Sequence, residues 1–313
     1  MSPSIVTLTL NPALDVSSAV PVVAPTHKLR CANPNEEPGG GGINVARVCS
    51  RLGEDTLAIV PLGGPVGQRV HDLLVEEGVP AVVVPINGQT RQSVTINQSS
   101  NGDQFRFVFP GPTLTSAEID ACRDAAIHAA RNAKCLVVSG SMPIGVDGRI
   151  VAELAAALPG VRILVDTSGQ ALAESLGSTA YLAKPSANEL ATIVGRSLET
   201  EADILEAAVD LVQSSQLHAI AVSIGPGGVI VAMRDGGVLR FRAPTVKVRS
   251  AVGAGDSMVA GIAVGLARGL SLSESMSLGT AAGTAAVISD GSRLCDPADV
   301  ARLLPLVAVD ARD

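Results

Sequence analysis

The sequence predicts an α/β fold: a doubly wound, mainly parallel sheet with helices on both faces, plus a small antiparallel β-sheet. Three observations carry the prediction. Short runs apolar on both faces recur, each after a helix-like stretch. One region switches to strict period two. Two glycine-rich turns each open a helical pattern.

Composition narrows the function. The 313 residues allow one large domain or two ordinary ones, and 47% apolar residues are enough for a full core. A formal charge of −7 without a basic run argues against a nucleic-acid partner held by counterion release. With no Trp and a single Tyr, base-stacking platforms are also absent. The stretch 211–233 carries no Asp, Glu, Lys or Arg and is long enough to span a bilayer. It is polar at Gln213 to Gln216 and His218 and broken by Gly225-Pro226-Gly227-Gly228, so it reads as a buried strand and a glycine turn. No membrane association and no signal peptide are expected. The five cysteines form no C-x-x-C pair and the four histidines show no zinc spacing. These are the free thiols of a chain in a reducing cytoplasm.

Along the chain, two excursions leave the α/β body. The first covers residues 13–33. The second covers 87–110, where Val94 and Ile96 alternate with polar residues, Asn101-Gly102 makes a hairpin turn, and Phe105, Phe107 and Phe109 alternate with Arg106 and Val108. A lone hairpin with such a face is marginal in water. The two excursions are therefore expected to pair into one small sheet, with 1–12, 34–86 and 111–313 forming the body. They also collect cations, Lys28, Arg30, Arg91 and Arg106. In a net-acidic chain these suit an anionic substrate, although each also suits a solvated surface.

Between the excursions, Gly39-Gly40-Gly41-Gly42-Ile43-Asn44-Val45-Ala46-Arg47 opens a helix. It matches neither the G-x-G-x-x-G fingerprint nor a Walker loop. It suits either a ligand-cradling turn or close packing of a helix. Further on, Cys135–Val138 runs into Ser139, Ile163–Val165 into Asp166 and Ala219–Val222 into Ser223, with helix-like stretches such as 118–133 and 204–217 before them. Ligands of parallel sheets sit beyond the carboxyl ends of the strands. The polar residues there are site candidates, and strand ends and helix caps account for them equally. Last comes Val252-Gly253-Ala254-Gly255-Asp256-Ser257-Met258, followed by a helical pattern. Glycines at a helix start gather N–H groups into an anion pocket. An acid in that first turn can cap the helix. Beside a polyphosphate it can also accept the proton of an attacking hydroxyl.

The segments 39–47 and 252–256 resemble the two signatures of the ribokinase-like sugar kinases, phosphofructokinase B branch. Lys28-Leu29-Arg30-Cys31, Thr90-Arg91-Gln92, the segment 104–108 and Ser292-Arg293-Leu294-Cys295 extend the resemblance over most of the chain and toward the members that act on fructose 6-phosphate. The resemblance implies a ribokinase-like fold with a β lid that clasps a second copy into a homodimer. It implies transfer of the γ-phosphoryl of ATP to the C1 hydroxyl of fructose 6-phosphate. Asp256 would be the base, and Gly253, Ala254 and Gly255 would build the anion hole with it. Asp15, Gly40, Gly41 and Asn44 would hold the sugar, with Ser139 beside it. Arg91 and Arg106 would face the 6-phosphate, with Arg30 nearby and Lys28 reaching over from the partner. ATP would lie along Ser223, Gly225, Gly227 and Gly228 and near Gly283, with Lys184 at its phosphates. Glu189 and Asp166 would organise Mg²⁺ through water. Ser250, Val252, Ala286 and Arg293 are the neighbourhood in which relatives carry K⁺.

The chain departs from the family pattern at Ser186, where the N-x-x-E motif has Asn, and at Ala251, where relatives often have Thr. Tagatose 6-phosphate and fructose 1-phosphate are the alternative substrates within the branch. A non-catalytic sugar-phosphate sensor is a more distant reading, since the base and the glycines are both present. A nicotinamide-dependent dehydrogenase lacks its fingerprint.

Overall fold

The computed structural model describes residues 2–289 and 294–312. The first half of the chain runs β1 (Ile5–Leu8), β2 (Ala13–Val20), β3 (Asn35–Gly39), α1 (Gly41–Arg51), β4 (Thr56–Leu62), α2 (Gly64–Glu76), β5 (Ala81–Pro85), β6 (Arg91–Gln98), β7 (Gln104–Val108), α3 (Ser116–Ala130), β8 (Cys135–Ser139) and α4 (Arg149–Ala157). The second half runs β9 (Arg162–Asp166), α5 (Gly169–Ser175), β10 (Leu182–Ala183), α6 (Ala187–Val194), α7 (Glu201–Ser214), β11 (Ala219–Ser223), β12 (Gly228–Met233), β13 (Val238–Arg242), α8 (Ala254–Ala267), α9 (Leu272–Val287), α10 (Pro297–Leu303) and β14 (Ala308–Arg312).

The large sheet has the order β14-β13-β12-β11-β10-β9-β8-β1-β4-β5. From β11 to β5 every pairing is parallel, and β12, β13 and β14 extend it antiparallel. The three runs that the sequence marks as buried strands are β8, β9 and β11. Alternate residues of a strand face opposite sides. Leu136, Val138, Ile163 and Val165 accordingly pack under α3, α4 and α7, while Cys135, Val137 and Leu164 pack under α1, α8 and α9. Burial on both faces explains why these strands read as unbroken apolar runs. No helix among the described residues is long and apolar enough to cross a membrane.

The carboxyl ends of β8, β9 and β11 lie on one side of the sheet, and the start of α8 is brought there by its packing on α9. That packing is close because of glycines. A Cβ on Gly261 would meet Gly279 Cα and Leu278 O, both at 2.8 Å. Gly261→Ala is therefore expected to cost about 1–3 kcal/mol by overpacking, read as a lower urea midpoint at unchanged slope.

The small sheet has the order β3-β2-β6-β7. Its outer pairings, β2–β3 and β6–β7, are antiparallel, the second being the expected hairpin, and its central β2–β6 pairing is parallel. Two boundaries differ from the sequence reading. Asn35–Gly39, assigned to the body, is a strand of the small sheet; Asn-Glu-Glu-Pro-Gly has no strand composition and forms one only because β2 supplies its partner. The first excursion is strand only to Val20. Pro21 has no N–H for the ladder, and residues 21–34 follow as a loop. Directly paired residues share a face. One face of the sheet therefore carries Asp15, Glu37, Arg91, Ser93 and Arg106, and the other carries Val16, Val94, Ile96, Phe105 and Phe107. Phe109 lies beyond the end of β7.

Candidate active site

The two glycine turns meet across the molecule. Gly253, at φ 75°, is the left-handed residue before α8, and Asp256 stands in the first turn of that helix. Asn44, one turn into α1, donates from Nδ2 to Asp256 Oδ2 at 2.9 Å. These residues are 212 positions apart. Ala254 N donates to Ala251 O at 3.4 Å, while the N–H groups of Gly255 and Asp256 meet no carbonyl of the preceding turn and form the anion-binding end of the helix.

Several of the glycines are steric requirements. A Cβ on Gly39 would sit 2.2 Å from Asp15 Oδ2, and one on Gly41 would sit 2.4 Å from Ser139 Oγ. A Cβ on Gly42 would meet Thr9 Oγ1 at 2.4 Å, so this glycine serves helix packing. The first turn thus combines both sequence readings: Gly39, Gly40 and Gly41 open the cleft, and Gly42 seats α1 on β1.

Around Asp256 the strand ends supply the charges. Lys184 follows β10, is buried, and pairs through Nζ with Asp166 Oδ1 at 3.0 Å. Ser139 Oγ donates to Asp166 Oδ2 at the long distance of 3.5 Å. Burial pushes the Asp256 carboxyl up to about 7; Asp166 and Asp15 add to the rise, while the Asn44 donor and Lys184 oppose it. Burial works against the Lys184 cation, but Asp166, Asp256 and Glu189 outweigh it and hold its pKa above the ordinary value. Desolvated acid and base groups with opposed environments are the mark of proton-transfer sites.

The polar face of the small sheet lies over the same cleft. Burial raises the Asp15 carboxyl, Glu37 adds to the rise, and Arg91, Arg106 and the Ser93 hydroxyl pull it back. Arg91 is anchored, donating from Nε and Nη2 to Asn11 O at 3.3 and 3.2 Å and from Nη1 to Ser93 Oγ at 3.4 Å. Burial lowers its pKa and Asp15 opposes this. Arg106 is exposed on β7 and turned to the Asp15 face. Lys28 and Arg30 are exposed in the loop after β2, and among the described residues no hydrogen bond or ion pair draws them to this cluster.

On the other side of the α8 turn is a cavity of about 400 Å³ bounded by Ala254 and Gly255. Ser223, Gly225, Gly228 and Gly283, all singled out from the sequence, line it. Gly227 does not; its carbonyl accepts from Arg240 Nη2 at 3.0 Å. Lys184 stands at the Asp256 side instead. The sequence reading missed the wall formed by Thr245, Val246, Val248, Thr280 and Thr284. A loop and one helix face carry no local signal of what they enclose.

The residues expected to organise Mg²⁺ have other partners in this chain. Ser186 and Glu189 form a capping box at the start of α6: Ser186 N and Oγ each donate to Glu189 Oε2 at 2.8 Å, and Glu189 N donates to Ser186 Oγ at 3.3 Å. Ser186 thus supplies the cap that its position demands. Among the described residues no group of three or more His, Cys, Asp or Glu is arranged to hold a metal. Two separated carboxylates, each partly engaged, suit an ion that keeps its water shell and arrives with a triphosphate. Ser250 N donates to the carbonyl of Val287, the residue after Ala286, and Val252 N donates to Ser250 Oγ. Arg293 lies outside the described residues.

Known proteins resemble this chain over most of its length. The family of pfkB carbohydrate kinases matches residues 9–299. The ATP-dependent 6-phosphofructokinase isozyme 2 of Mycobacterium tuberculosis is 43% identical over 98% of this chain and 90% of its own length. Two crystal structures of phosphofructokinase-2 from Escherichia coli superpose closely, each 38% identical and covering 97% of this chain and 99% of theirs. The potassium complex has a TM-score of 0.92 and the fructose-6-phosphate complex 0.90.

Proposed function

Since the chain belongs to the PfkB family of carbohydrate kinases, we propose that it is an ATP-dependent 6-phosphofructokinase, phosphorylating fructose 6-phosphate at the C1 hydroxyl. The observation that carries the reading is the position of α8. Its first turn separates a nucleotide-sized cavity on one side from Asp256, Asn44 and the Asp15–Arg91–Arg106 face on the other. A donor and an acceptor bound on the two sides would meet at the positive end of one helix.

In this mechanism the Asp256 carboxylate accepts the proton of the C1 hydroxyl as that oxygen attacks the γ-phosphorus of ATP, and ADP leaves. The N–H groups from Gly253 to Asp256 stabilise the charge on the transferring group. Asp15, Gly40, Gly41 and Asn44 orient the sugar, beside Ser139. Arg91 and Arg106 receive the 6-phosphate, with Arg30 nearby and Lys28 contributed from the loop of a second copy. The ATP base takes the cavity along Ser223, Gly225, Gly228 and Gly283, and Lys184 neutralises its phosphates. Asp166 and Glu189 would hold Mg²⁺ through water, and the ion would supply further neutralisation of the phosphate oxygens. Ser250, Val252 and Ala286 would hold K⁺, an ion whose use is supported by the potassium complex of the relative. The homodimer forms through the outer face of the small sheet, where Phe107 is 51% exposed, together with the equally exposed Phe109 just beyond the end of β7. The enzyme works in the cytoplasm and feeds glycolysis.

The test is ADP release with Mg-ATP and subsaturating fructose 6-phosphate, tagatose 6-phosphate, fructose 1-phosphate or fructose. Preference for fructose 6-phosphate in kcat/KM is the expected result. Preference for another sugar reassigns the substrate, and no turnover on any of them favours the sensor. Arg106→Ala is expected to raise KM for fructose 6-phosphate about 10- to 100-fold, the worth of one charge-assisted phosphate contact. Its effect on free fructose should be small. An equal loss on both sugars would remove Arg106 from phosphate recognition.

A further inference from the structure

Arg47 is the last residue of the first glycine motif, and nothing in the mechanism above uses it. Its side chain is 3% exposed and touches neither the cavity nor the cation cluster. It nevertheless makes five hydrogen bonds. Nε and Nη2 form a fork onto Glu77 Oε2 and Oε1 at 2.8 and 2.6 Å, beyond the end of α2. Nη2 also donates to Glu37 Oε1 at 3.2 Å, and Nη1 donates to Pro38 O at 3.3 Å, both in β3 of the small sheet. Nη1 finally donates to Asn44 Oδ1 at 3.3 Å, one helical turn back.

That last contact decides how Asn44 is turned. A side-chain amide is nearly symmetric in shape, and its partners choose which end points where. A guanidinium has donors only, so Asn44 must present Oδ1 to Arg47. Nδ2 is then left to donate to Asp256. Reversed, the amide would aim an oxygen at the carboxylate that has to take the proton. Arg47 is held in turn by Glu77 and by the strand that pairs with Asp15. The chain of bonds therefore runs from the substrate side of the small sheet, through Arg47 and Asn44, to Asp256.

We propose that Arg47 is a positioning residue for phosphoryl transfer: it fixes the Asn44 amide with its donor toward Asp256 and ties that orientation to strand β3. The inference rests on Asp256 as the base of the proposed kinase.

The test is a double-mutant cycle on kcat with Arg47→Met, Asn44→Ala and the pair. Arg47→Met is expected to lower kcat about 10- to 100-fold with KM for ATP little changed, since small misplacements of reacting groups carry losses of that size. In the Asn44→Ala background the same substitution should cost no more than about two-fold, because the residue through which it acts is gone. A merely structural Arg47 would cost the same factor in both backgrounds, and that result overturns the proposal, as does wild-type kcat in Arg47→Met. Arg47→Lys covers the case in which the Met variant fails to fold. One ammonium cannot serve Glu77 and Asn44 together, so its kcat should be partly reduced, and unreduced kcat counts against the proposal. Should the unaltered enzyme fail to turn over any sugar phosphate, the kinase reading fails first, and crystal structures of Arg47→Met or Arg47→Lys decide the rest. Asn44 turned away from Asp256 supports the positioning role; an unchanged Asn44–Asp256 contact overturns it.

Discussion

Asp256→Asn is expected to fold, to lose about 10²- to 10⁴-fold in kcat, the usual worth of a general base, and to be more stable than the parent above neutral pH. The stability gain follows from the same burial that makes the group a base. Its carboxyl is moved from an ordinary 3.8 to about 7, so the fold favours the protonated form. A carboxyl raised in this way is no burden at pH below its unfolded value. Its cost grows as pH rises from about 4 to about 7, and is fully present above that. At about 1.4 kcal/mol for each unit, reduced because the carboxyl is partly open to solvent, the cost above neutrality comes to about 2–4 kcal/mol. An amide carries no such cost. Urea unfolding at pH 5 and pH 8 reads it: the advantage of the variant should be larger at pH 8. An advantage independent of pH would show that Asp256 is not desolvated as described. The parent should show the matching kinetic limb, with kcat/KM rising about ten-fold from pH 6 to pH 8 as the free enzyme loses this proton. Near-parental turnover in the variant would remove Asp256 from the role.

Lys184→Met is expected to damage stability and turnover together. Lys184 is 5% exposed and its Nζ is 3.0 Å from Asp166 Oδ1. Removing one partner of a buried pair leaves the other charge unpaired, which costs about 3–5 kcal/mol. Here the orphan, Asp166, already pushes on Asp256, and Lys184 is the cation that restrains it. Without Lys184 the Asp256 carboxyl moves above 7, and the acid limb of the rate profile moves to higher pH. The double variant Lys184→Met/Asp166→Asn should regain most of the stability, since no charge is left alone. It should not regain turnover, since the phosphates of ATP have still lost their cation. Recovery of both would reduce Lys184 to a counter-ion of Asp166. An unchanged unfolding midpoint in the single variant would show that the pair is more solvated than its burial indicates.

Much of this molecule is local and could be read from residue order. The runs that became β8, β9 and β11 are apolar on both faces because helices cover both sides of a parallel strand. The hairpin around Asn101-Gly102 follows from period two and a turn that needs small polar residues. Gly253, Asp256, Gly39 and Asn44 stand in motifs whose spacing follows from one helix start each. Ser186 was legible as a departure, and its capping box with Glu189 gives the replacement a physical role.

The tertiary structure decided the rest. Asn35–Gly39 became a strand through its partner rather than its composition, and β2 met β6 in parallel. The walls contributed by Thr245, Val246 and Val248 enclose a cavity only because α9 lies opposite. Asn44 reaches Asp256 across 212 residues, and Arg47 turns Asn44 by bonds to two other elements. The sequence by itself determined that β8, β9, β11 and the 87–110 hairpin are strands, which turns are glycine cradles and which acid heads a helix, because periodicity and backbone sterics act over a few residues. It did not determine the carboxyl's shift, the cavity or the Arg47 network, because desolvation, enclosure and hydrogen-bond direction depend on which distant groups share the same space.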